Sequence, residues 1–447
     1  MKNKLYLIGA LLTSVCFGVA GCNQSSSVTI VNGYTLPEIH NLTTSEAKLL
    51  LGANIYIDPI EVQTSELIEG RILGYRNNNV GDVVEKGSRI AVNVAARLDK
   101  SIALSDSNIV NYITELDRIT GRDSTNEELC TNAGQGGTDL GIPFELPDGR
   151  TMLLYGDTFS SAPMSGFWNS NFMAITSDED LTDGLQFDEL VTNDTNGMIL
   201  PFAQGAHQGG NETDKSVEVT KIPTGGISIG NDVYIFYMSI RYWGVGGDWK
   251  VTYNQCLKAD DSSYKSWSNV ESLRWDEDEL YYAGQIYPFN DPKDNEHIYF
   301  TSIPGGRNNG AVMFRVDKDK FENRDEYEYL TSKNTWTKGD DGMKKLNDNP
   351  YFIMSPGVSE PSIVYSEYLD KYVFATLKGS NIVFGVSDNV CGPYNETYPV
   401  VSSSDFPGLY GGFVHSKFMD SDGQRMYIQL SRWTPIYNTY LVEVVLK

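Results

Sequence analysis

Residues 137–159 read GTDLGIPFELPDGRTMLLYGDTF, and the fold prediction starts from this stretch. Two mostly apolar runs, 138–144 and 151–156, flank an Asp-Gly turn, which is typical of a β-hairpin. A third run at 171–178 completes a small antiparallel meander. Because one such sheet cannot bury both of its faces alone, this pattern indicates a unit that packs between neighbours of the same kind.

The same three-strand pattern occurs five times between residues 119 and 447. The other predicted triplets are 219–223, 232–239 and 252–261; 284–289, 297–302 and 310–317; 360–365, 371–376 and 381–388; and 411–418, 425–431 and 438–444. Repeated small antiparallel sheets are typical of propeller blades. The predicted fold class is therefore all-β, a five-bladed β-propeller over residues 119–447. A large β-sandwich is the competing architecture, but it would not need the same pattern five times.

The chain begins with a segment typical of export. Residues 1–21 carry two lysines before an apolar run and end in Val-Ala-Gly ahead of Cys22, as in a signal peptide. The four residues that end in Cys22 resemble a bacterial lipobox, which implies cleavage before Cys22 and lipid modification of its thiol. We therefore expect an exported lipoprotein anchored in the cell envelope, in the outer membrane or at the cell surface. An ordinary signal peptide that happens to contain a cysteine is the alternative.

Residues 28–95 form a separate, small α+β domain in this interpretation. Thr43 and Glu46 have the spacing of a capping box at the start of a helix. The predicted apolar face of that helix consists of Ala47, Leu50 and Leu51. Two short alternating segments, around 71–75 and 89–94, are predicted strands separated by a turn-rich stretch.

The order helix, strand, turn, strand resembles a PASTA domain. The matching landmarks are Leu36-Pro37, Ala47 with the leucines after it, Gly70-Arg71-Ile72 and Lys86-Gly87-Ser88. This resemblance implies an extracytoplasmic module that associates with peptidoglycan or serves only as a spacer. Residues 96–118 are mixed and polar and are interpreted as a linker.

Composition restricts the partners of the chain. The formal net charge is −24 at pH 7, and so acidic a surface repels phosphate backbones, which argues against nucleic acid as a partner.

The histidines and cysteines lack metal-ligand spacing, so no metal or other cofactor is predicted, although an acidic channel could hold calcium. Cys130, Cys256 and Cys391 allow one disulfide at most and are interpreted mainly as small buried apolar residues. We expect a monomer.

Four carboxylates are expected to converge at one end of the propeller. The first strand of each blade lines the central channel, so residues where these strands start face a shared funnel. Asp139 and Glu360 start the first strands of the first and fourth blades, Glu218 precedes that of the second, and Asp157 ends the second strand of the first blade. Paired carboxyl groups serve glycoside hydrolysis: one protonates the leaving oxygen, and the other activates water or attacks the anomeric carbon. For Asp157, a turn aspartate is the alternative.

Sugars also need flat aromatic faces and polar partners. The candidate substrate-binding residues are Trp168, Asn171, Trp243, Tyr282, Tyr410, His415 and Trp433. His415 is predicted in the first strand of the fifth blade, where it would donate a hydrogen bond or orient an acid. A satisfied core histidine is the alternative.

Five phrases carry a family resemblance: GTDLGIPFELPDGRT, YGDTF, WNSNFMAITSD, KIPTGGISIGNDVYIFYMS and LSRWTPIYNTYL. Together they resemble a bacterial family long catalogued as a domain of unknown function, which includes endo-D-arabinanases. The resemblance covers nearly all of residues 119–447 and implies a five-bladed propeller glycosidase that cuts D-arabinofuranosyl linkages. It also implies that Asp139 and Asp157 are the catalytic acids. Asn169 stands where the family pattern leads us to expect arginine, which bears on the identity of the substrate.

Two other functions compete with a polysaccharide hydrolase. A non-catalytic, glycan-binding surface lipoprotein would use the propeller as a lectin, but a lectin can manage with aromatic and neutral polar groups, so several converging acids count against it. A sialidase-type propeller would need an arginine cluster for the carboxylate of its substrate, and the predicted first strands carry no arginine.

Overall fold

The computed structural model describes residues 32–63, 70–96, 101–105, 107–162 and 164–447. The described chain divides into two compact units. One contains the described residues up to Glu61 together with Arg71–Val94, and the other contains the described residues of Val62–Gly70 together with Ala95–Lys447. The predicted signal peptide and the predicted lipidation site, Cys22, lie outside the described residues.

The smaller unit combines one α-helix with two small sheets. Its elements are β1 (Gly33–Thr35), α1 (Thr44–Leu51), a 3₁₀ turn (Gly52–Asn54), β2 (Ile55–Gln63), β3 (Ile72–Tyr75), β4 (Val83–Glu85) and β5 (Ser88–Ala96). The strand order of the larger sheet is β2-β5-β3, and β1 pairs with β4. The strand β2 was not predicted. Its exposed Pro59 interrupts the strand pattern in the sequence, and a proline is tolerated there because β2 is an edge strand.

The predicted capping box at the start of α1 is confirmed. The Glu46 amide donates to Oγ1 of Thr43 at 3.1 Å, and the Thr43 amide donates to Oε2 of Glu46 at 2.8 Å. On the predicted apolar face, Ala47 and Leu51 are buried, as their i,i+4 spacing requires. The prediction for Leu50 is wrong, because its side chain points away from that face and is 51% exposed.

The larger unit consists mainly of antiparallel sheets. Its strands are β6 (Ile102–Ala103), β7 (Val110–Arg118), β8 (Leu140–Glu145), β9 (Thr151–Tyr155), β10 (Thr158–Ser161), β11 (Ser165–Asn169), β12 (Phe172–Thr176), β13 (Glu189–Leu190), β14 (Thr220–Ile229), β15 (Asp232–Tyr242), β16 (Lys250–Ala259), β17 (Trp267–Asp276), β18 (Gln285–Phe289), β19 (His297–Ile303), β20 (Val312–Asp317), β21 (Glu328–Ser332), β22 (Thr335–Lys338), β23 (Val358–Ser366), β24 (Lys371–Lys378), β25 (Asn381–Ser387), β26 (Thr397–Ser402), β27 (Leu409–Phe413), β28 (Arg425–Arg432) and β29 (Asn438–Leu446). Its α-helices are α2 (Glu127–Asn132) and α3 (Gly339–Asp348), and 3₁₀ turns occur at Leu181–Asp183, Lys318–Lys320, Arg324–Glu326 and Ser416–Phe418.

The sheets of the larger unit follow one another in a ring. Their strand orders are β13-β12-β9-β8, β14-β15-β16-β17, β18-β19-β20-β21-β22, β23-β24-β25-β26 and β27-β28-β29-β7-β6, and β10 pairs with β11 as a separate hairpin. The first strands contact each other in the sequence β8, β14, β18, β23, β27, and β27 contacts β8 again. The starting ends of these strands line one cavity, and their final ends line a second, so they run in one direction along a common channel. The predicted all-β class is confirmed for this unit.

Part of the segment predicted as a linker belongs to this ring. The strand β7 pairs antiparallel with β29 at the end of the chain, with Ile113 opposite Val444. Val110 and Ile113 are fully buried, whereas the polar residues between them face outward. The last sheet is therefore completed by a strand that precedes β8 in the chain, and backbone hydrogen bonds hold β7 and β29 together.

The three remaining cysteines are free thiols. Cys130 and Cys256 are buried and Cys391 is half-buried, and they form no disulfide. In the part of the chain that the structure describes, no helix is long and apolar enough to cross a membrane.

Candidate active site

A cavity of about 480 Å³ lies at the starting ends of the first strands. Three of the four predicted carboxylates, Asp139, Asp157 and Glu360, line this cavity. The aromatic residues in its wall are Phe159, Trp168, Trp243, Trp249, Tyr410, Phe413, Trp433 and Tyr437. Arg307 and Gln285 add polar groups. Within the described ranges, no cluster of three or more His, Cys, Asp or Glu side chains is arranged to hold a metal ion.

Asp139 directly precedes β8. The Tyr410 hydroxyl donates to its Oδ2 at 2.8 Å, whereas its Oδ1 is buried and has no hydrogen-bond partner among the described residues. Burial, followed by the nearby charge of Asp157, raises the pKa of Asp139 to about 7, although the hydrogen bond from Tyr410 acts in the opposite direction. A carboxyl group with this pKa can carry a proton at neutral pH and release it, as a general acid must.

Asp157 follows β9 at the same end of the sheet, because β8 and β9 pair antiparallel with Leu140 opposite Tyr155. Its Oδ1 accepts hydrogen bonds from the Trp168 indole at 2.8 Å and from the Thr220 hydroxyl at 2.5 Å. Burial raises the pKa of Asp157 to about 7, and these two hydrogen bonds limit the rise. Asp139 and Asp157 thus line one cavity, and each has a pKa raised to about 7.

Glu360 is fixed through both of its carboxylate oxygens. Arg307 Nη2 donates to Oε1 at 2.8 Å, and the Gly411 amide donates to Oε2 at 2.7 Å. The Glu360 amide donates to Oε1 of Gln285 at 2.7 Å. With a φ of 55°, Glu360 has a left-handed backbone conformation that costs a non-glycine residue on the order of 1 kcal/mol.

Irregularities at the starts of three first strands direct side chains into the cavity. The pairing register shifts between Leu140 and Ile142 in β8, between Ser359 and Ser362 in β23, and between Tyr410 and Phe413 in β27. β-Bulges of this kind re-aim side chains and are frequent beside active sites. Asp139, Glu360 and Tyr410 all lie at or next to these shifts.

Arg307 lies between two aromatic rings of the cavity. Its Cζ is 5.3 Å from the Trp249 ring centroid and 5.4 Å from that of Tyr410, within the range of cation–π contacts. Through Glu360 and Tyr410, the guanidinium connects two of the three carboxylates. Arg307 was not predicted as a site residue, because it lies in the loop after β19 rather than in a first strand. Tyr437 and Gln285 were missed as well.

Trp168 presents mainly the edge of its indole ring to the cavity. His207 stacks on its indole, with ring centroids 3.7 Å apart and planes at 3°, while the indole N–H is bonded to Asp157. One face of Trp168 is therefore covered by protein. By contrast, Trp243 and Trp433 also line the cavity and are 43% and 59% exposed, so their rings are open to a ligand. Tyr410 is 8% exposed and acts through its hydroxyl.

Four predicted site residues lie outside this cavity: Glu218, Asn171, Tyr282 and His415. Glu218 accepts hydrogen bonds from Ser239 and Tyr253. Asn171 is buried and donates to the Ala203 and Lys221 carbonyls. The Tyr282 ring packs edge-on against Phe352 in a separate apolar cluster. These three side chains are therefore held by contacts outside the cavity.

His415 lies at the opposite end of the ring. The strand β27 ends at Phe413, so His415 follows the strand, lines the second cavity and caps the 3₁₀ turn at Ser416–Phe418. Burial and the nearby Lys417 lower its pKa to about 4. It therefore does not face the carboxylates.

The fold and the site define a class: an all-β protein whose ring of sheets carries an acidic, aromatic-lined cavity at one end. Residues 124–443 match the family described as "Domain of unknown function (DUF4185)". The chain belongs to this family.

Individual relatives are more distant. The chain is similar to Notoamide biosynthesis cluster protein J′ from Aspergillus versicolor, with 25% identity over 333 residues, 71% of this chain and 85% of the relative. It is similar in fold to the crystal structure of a candidate hydrolase from Bacteroides ovatus ATCC 8483, with a TM-score of 0.50, 13% identity, and coverage of 74% of this chain and 90% of that one. It also matches an alpha-L-arabinanase from Cellvibrio cellulosa complexed with arabinohexaose, with a TM-score of 0.39, 11% identity, and coverage of 69% and 92%.

Proposed function

We propose that this protein is a glycoside hydrolase, and more specifically an endo-D-arabinanase acting on D-arabinofuranosyl linkages. The observation that carries the proposal is the pair Asp139 and Asp157: two carboxyl groups with pKa values of about 7 in one aromatic-lined cavity. Glycoside hydrolysis needs one protonated and one ionised carboxyl group at the same pH, and two carboxyl groups of one cavity with pKa values near neutrality can supply both.

The contacts of the two carboxyl groups indicate a different catalytic role for each. Asp139 has an oxygen without a hydrogen-bond partner and lies beside a second acid, so its protonated form is favoured. It would protonate the leaving glycosidic oxygen. Asp157 receives two donors on one oxygen, which favour its ionised form, and would activate water or attack the anomeric carbon. Glu360, ion-paired with Arg307, would stabilise positive charge on the sugar ring in the transition state.

The substrate assignment has two supports. The exposed rings of Trp243 and Trp433 beside the acids suit the C–H faces of sugars. The choice of D-arabinan rests on the family resemblance carried by the motifs around Asp139 and Asp157. We propose a five-bladed propeller as the framework, supported by the closed order of contacts among β8, β14, β18, β23 and β27.

We further propose that the enzyme is an exported lipoprotein anchored through Cys22 in the outer membrane or at the cell surface. The small N-terminal unit would be a PASTA-like module that contacts peptidoglycan or spaces the enzyme from the membrane. These proposals rest on the sequence motifs alone.

The test is release of reducing sugar from D-arabinan, L-arabinan, arabinogalactan, fructan and peptidoglycan. We expect release from D-arabinan, and a loss of about 100-fold or more in Asp139→Asn and Asp157→Asn. Asp291→Asn is the control, since Asp291 is 5% exposed and, like Asp139, accepts a hydrogen bond from a tyrosine, Tyr372, but lies outside the cavity. If no substrate is cleaved while one of them is bound, the protein is a glycan-binding lipoprotein instead.

A further inference from the structure

A small cleft adjoins the cavity that contains Asp139, Asp157 and Glu360, here called the active cavity. This cleft is distinct from the cavity at the opposite end of the ring. It has a volume of about 80 Å³ and is lined by residues that include Asp248, Trp249, Glu277, Tyr281, Asn308 and Asn309. Trp249 belongs to both walls. The loop after β19 is also shared: it places Arg307 in the active cavity, and Asn308 and Asn309 in the cleft.

We propose that this cleft is a second glycan-binding subsite, which holds sugar residues of the same chain beyond those in the active cavity. The inference rests on the proposed function and deepens it: an enzyme that binds its substrate on both sides of the Trp249 wall cuts within a chain rather than at its end.

Tyr281 supplies the aromatic platform of this subsite. Its ring is 46% exposed, yet its position is fixed from two sides. Its amide donates to Oδ1 of Asn347 at 3.0 Å, and its hydroxyl accepts a hydrogen bond from Nδ2 of Asn309 at 3.3 Å. An exposed ring held in this way loses little conformational freedom when a sugar stacks on it.

The charges in the cleft favour a neutral, hydroxylated ligand. Asp248 is ion-paired with Lys250 at 3.0 Å, and Glu277 with Arg241 at 2.9 Å. Because Lys250 and Arg241 are already paired with these acids, the described residues around the cleft offer no unpaired cation to an anionic ligand. Carboxylate oxygens and the two asparagine amides remain able to accept from and donate to sugar hydroxyls.

The test measures binding without turnover. In the Asp139→Asn background, the full chain is titrated by calorimetry with D-arabino-oligosaccharides from the disaccharide to the octasaccharide. We expect affinity to rise with length beyond the occupancy of the active cavity. Tyr281→Ala and Asn309→Ala should each reduce the gain from short to long ligands by about tenfold. Tyr368→Ala is the matched control, since Tyr368 is also exposed and its hydroxyl also accepts from a side-chain amide, that of Gln424, away from both clefts.

The outcomes separate this inference from the proposed function. An affinity that does not change with length, or a gain that Tyr281→Ala leaves intact, overturns the subsite even if the wild type cleaves D-arabinan. If the wild type cleaves nothing, the proposed function fails. A length-dependent gain that is lost in Tyr281→Ala then still supports the subsite.

Discussion

Tyr410 donates its hydroxyl to Oδ2 of Asp139 at 2.8 Å, although 271 residues separate the two in the chain. Asp139 stands at the start of the first sheet, and Tyr410 lies in the first strand of the last sheet. The contact between β27 and β8 that closes the ring therefore also builds the acid site. A change that opened the ring at this contact would therefore separate the pair.

Replacing Tyr410 with phenylalanine should shift the pH profile upward. The hydroxyl stabilises the ionised form of Asp139, so its loss raises the pKa of that carboxyl above about 7. If Asp139 acts in its protonated form, the basic limb of kcat/KM should move to higher pH, by about 0.5–1 unit. Tyr372→Phe removes an equivalent bond to Asp291 outside the cavity and should leave the profile unchanged. A shift to lower pH would contradict the assignment of Asp139 as the acid.

Asp139→Asn should stabilise the protein at alkaline pH. The folded-state pKa of Asp139, about 7, lies above that of an unfolded aspartate, about 3.9, so the folded state binds the proton more tightly. This contribution to stability is complete below the unfolded pKa and is lost as the pH rises through 7. Relative to the wild type, we expect a Tm higher by roughly 2–4 °C at about pH 8.5 and nearly equal at about pH 4. A Tm difference that does not depend on pH would contradict the raised pKa.

Gly156 is required for the position of Asp139. A Cβ at Gly156 would lie 2.3 Å from Oδ1 of Asp139, well inside contact distance. In Gly156→Ala we expect the carboxyl group to be displaced and kcat to fall by about 100-fold, since an error of 1 Å in a catalytic group can cost that much. Gly209→Ala is the control, because a Cβ there meets no atom within 4 Å. Equal activities in the two variants would show that Asp139 tolerates displacement.

Arg307→Met should damage catalysis more than folding. It removes the 2.8 Å ion pair with Glu360 and the cation between Trp249 and Tyr410, so we expect kcat/KM to fall by about 10- to 100-fold. Arg315→Met is matched, because Arg315 is paired with Glu328 at 2.8 Å and lies 4.3 Å from the Trp336 ring, outside the cavity.

Both arginine variants are compared by kcat, KM and Tm. A similar fall in Tm, with activity lost only in Arg307→Met, is the expected result. Equal activity in the two variants would make the Arg307 pair merely structural.

The sequence predicts the inner strands of each sheet better than the outermost strands. Each of the fifteen predicted strands overlaps an observed strand, because most of them are apolar runs bounded by turns and are largely buried. The outermost strands were missed. In β17, most positions are exposed or half-buried, so the sequence WSNVESLRWD shows no continuous apolar run. An edge strand of this kind is recognisable only from the sheet it joins.

The same reasoning explains which site residues could be predicted. Asp139 and Glu360 are placed by the direction of the first strands, which a repeat pattern reveals. His415 was predicted inside the first strand of the fifth sheet, but β27 ends at Phe413, and the residues that follow it line the cavity at the opposite end of the ring. Arg307 depends on the path of a loop, and no periodicity in the sequence specifies that path.

The strand β7 gives the sharpest test of the ring. A chain beginning at residue 119, the predicted start of the domain, lacks β7, whereas one beginning at residue 101 retains it. Without β7, the edge of β29 is unpaired, and the apolar surface that Val110 and Ile113 cover becomes exposed. We expect the longer chain to unfold cooperatively and the shorter chain to aggregate or to unfold at a much lower temperature, as measured by calorimetry and size-exclusion chromatography. Equal Tm values for the chains that begin at residues 101 and 119 would show that the last sheet is stable without β7. In that case the closure would rest on the contact between β27 and β8 alone.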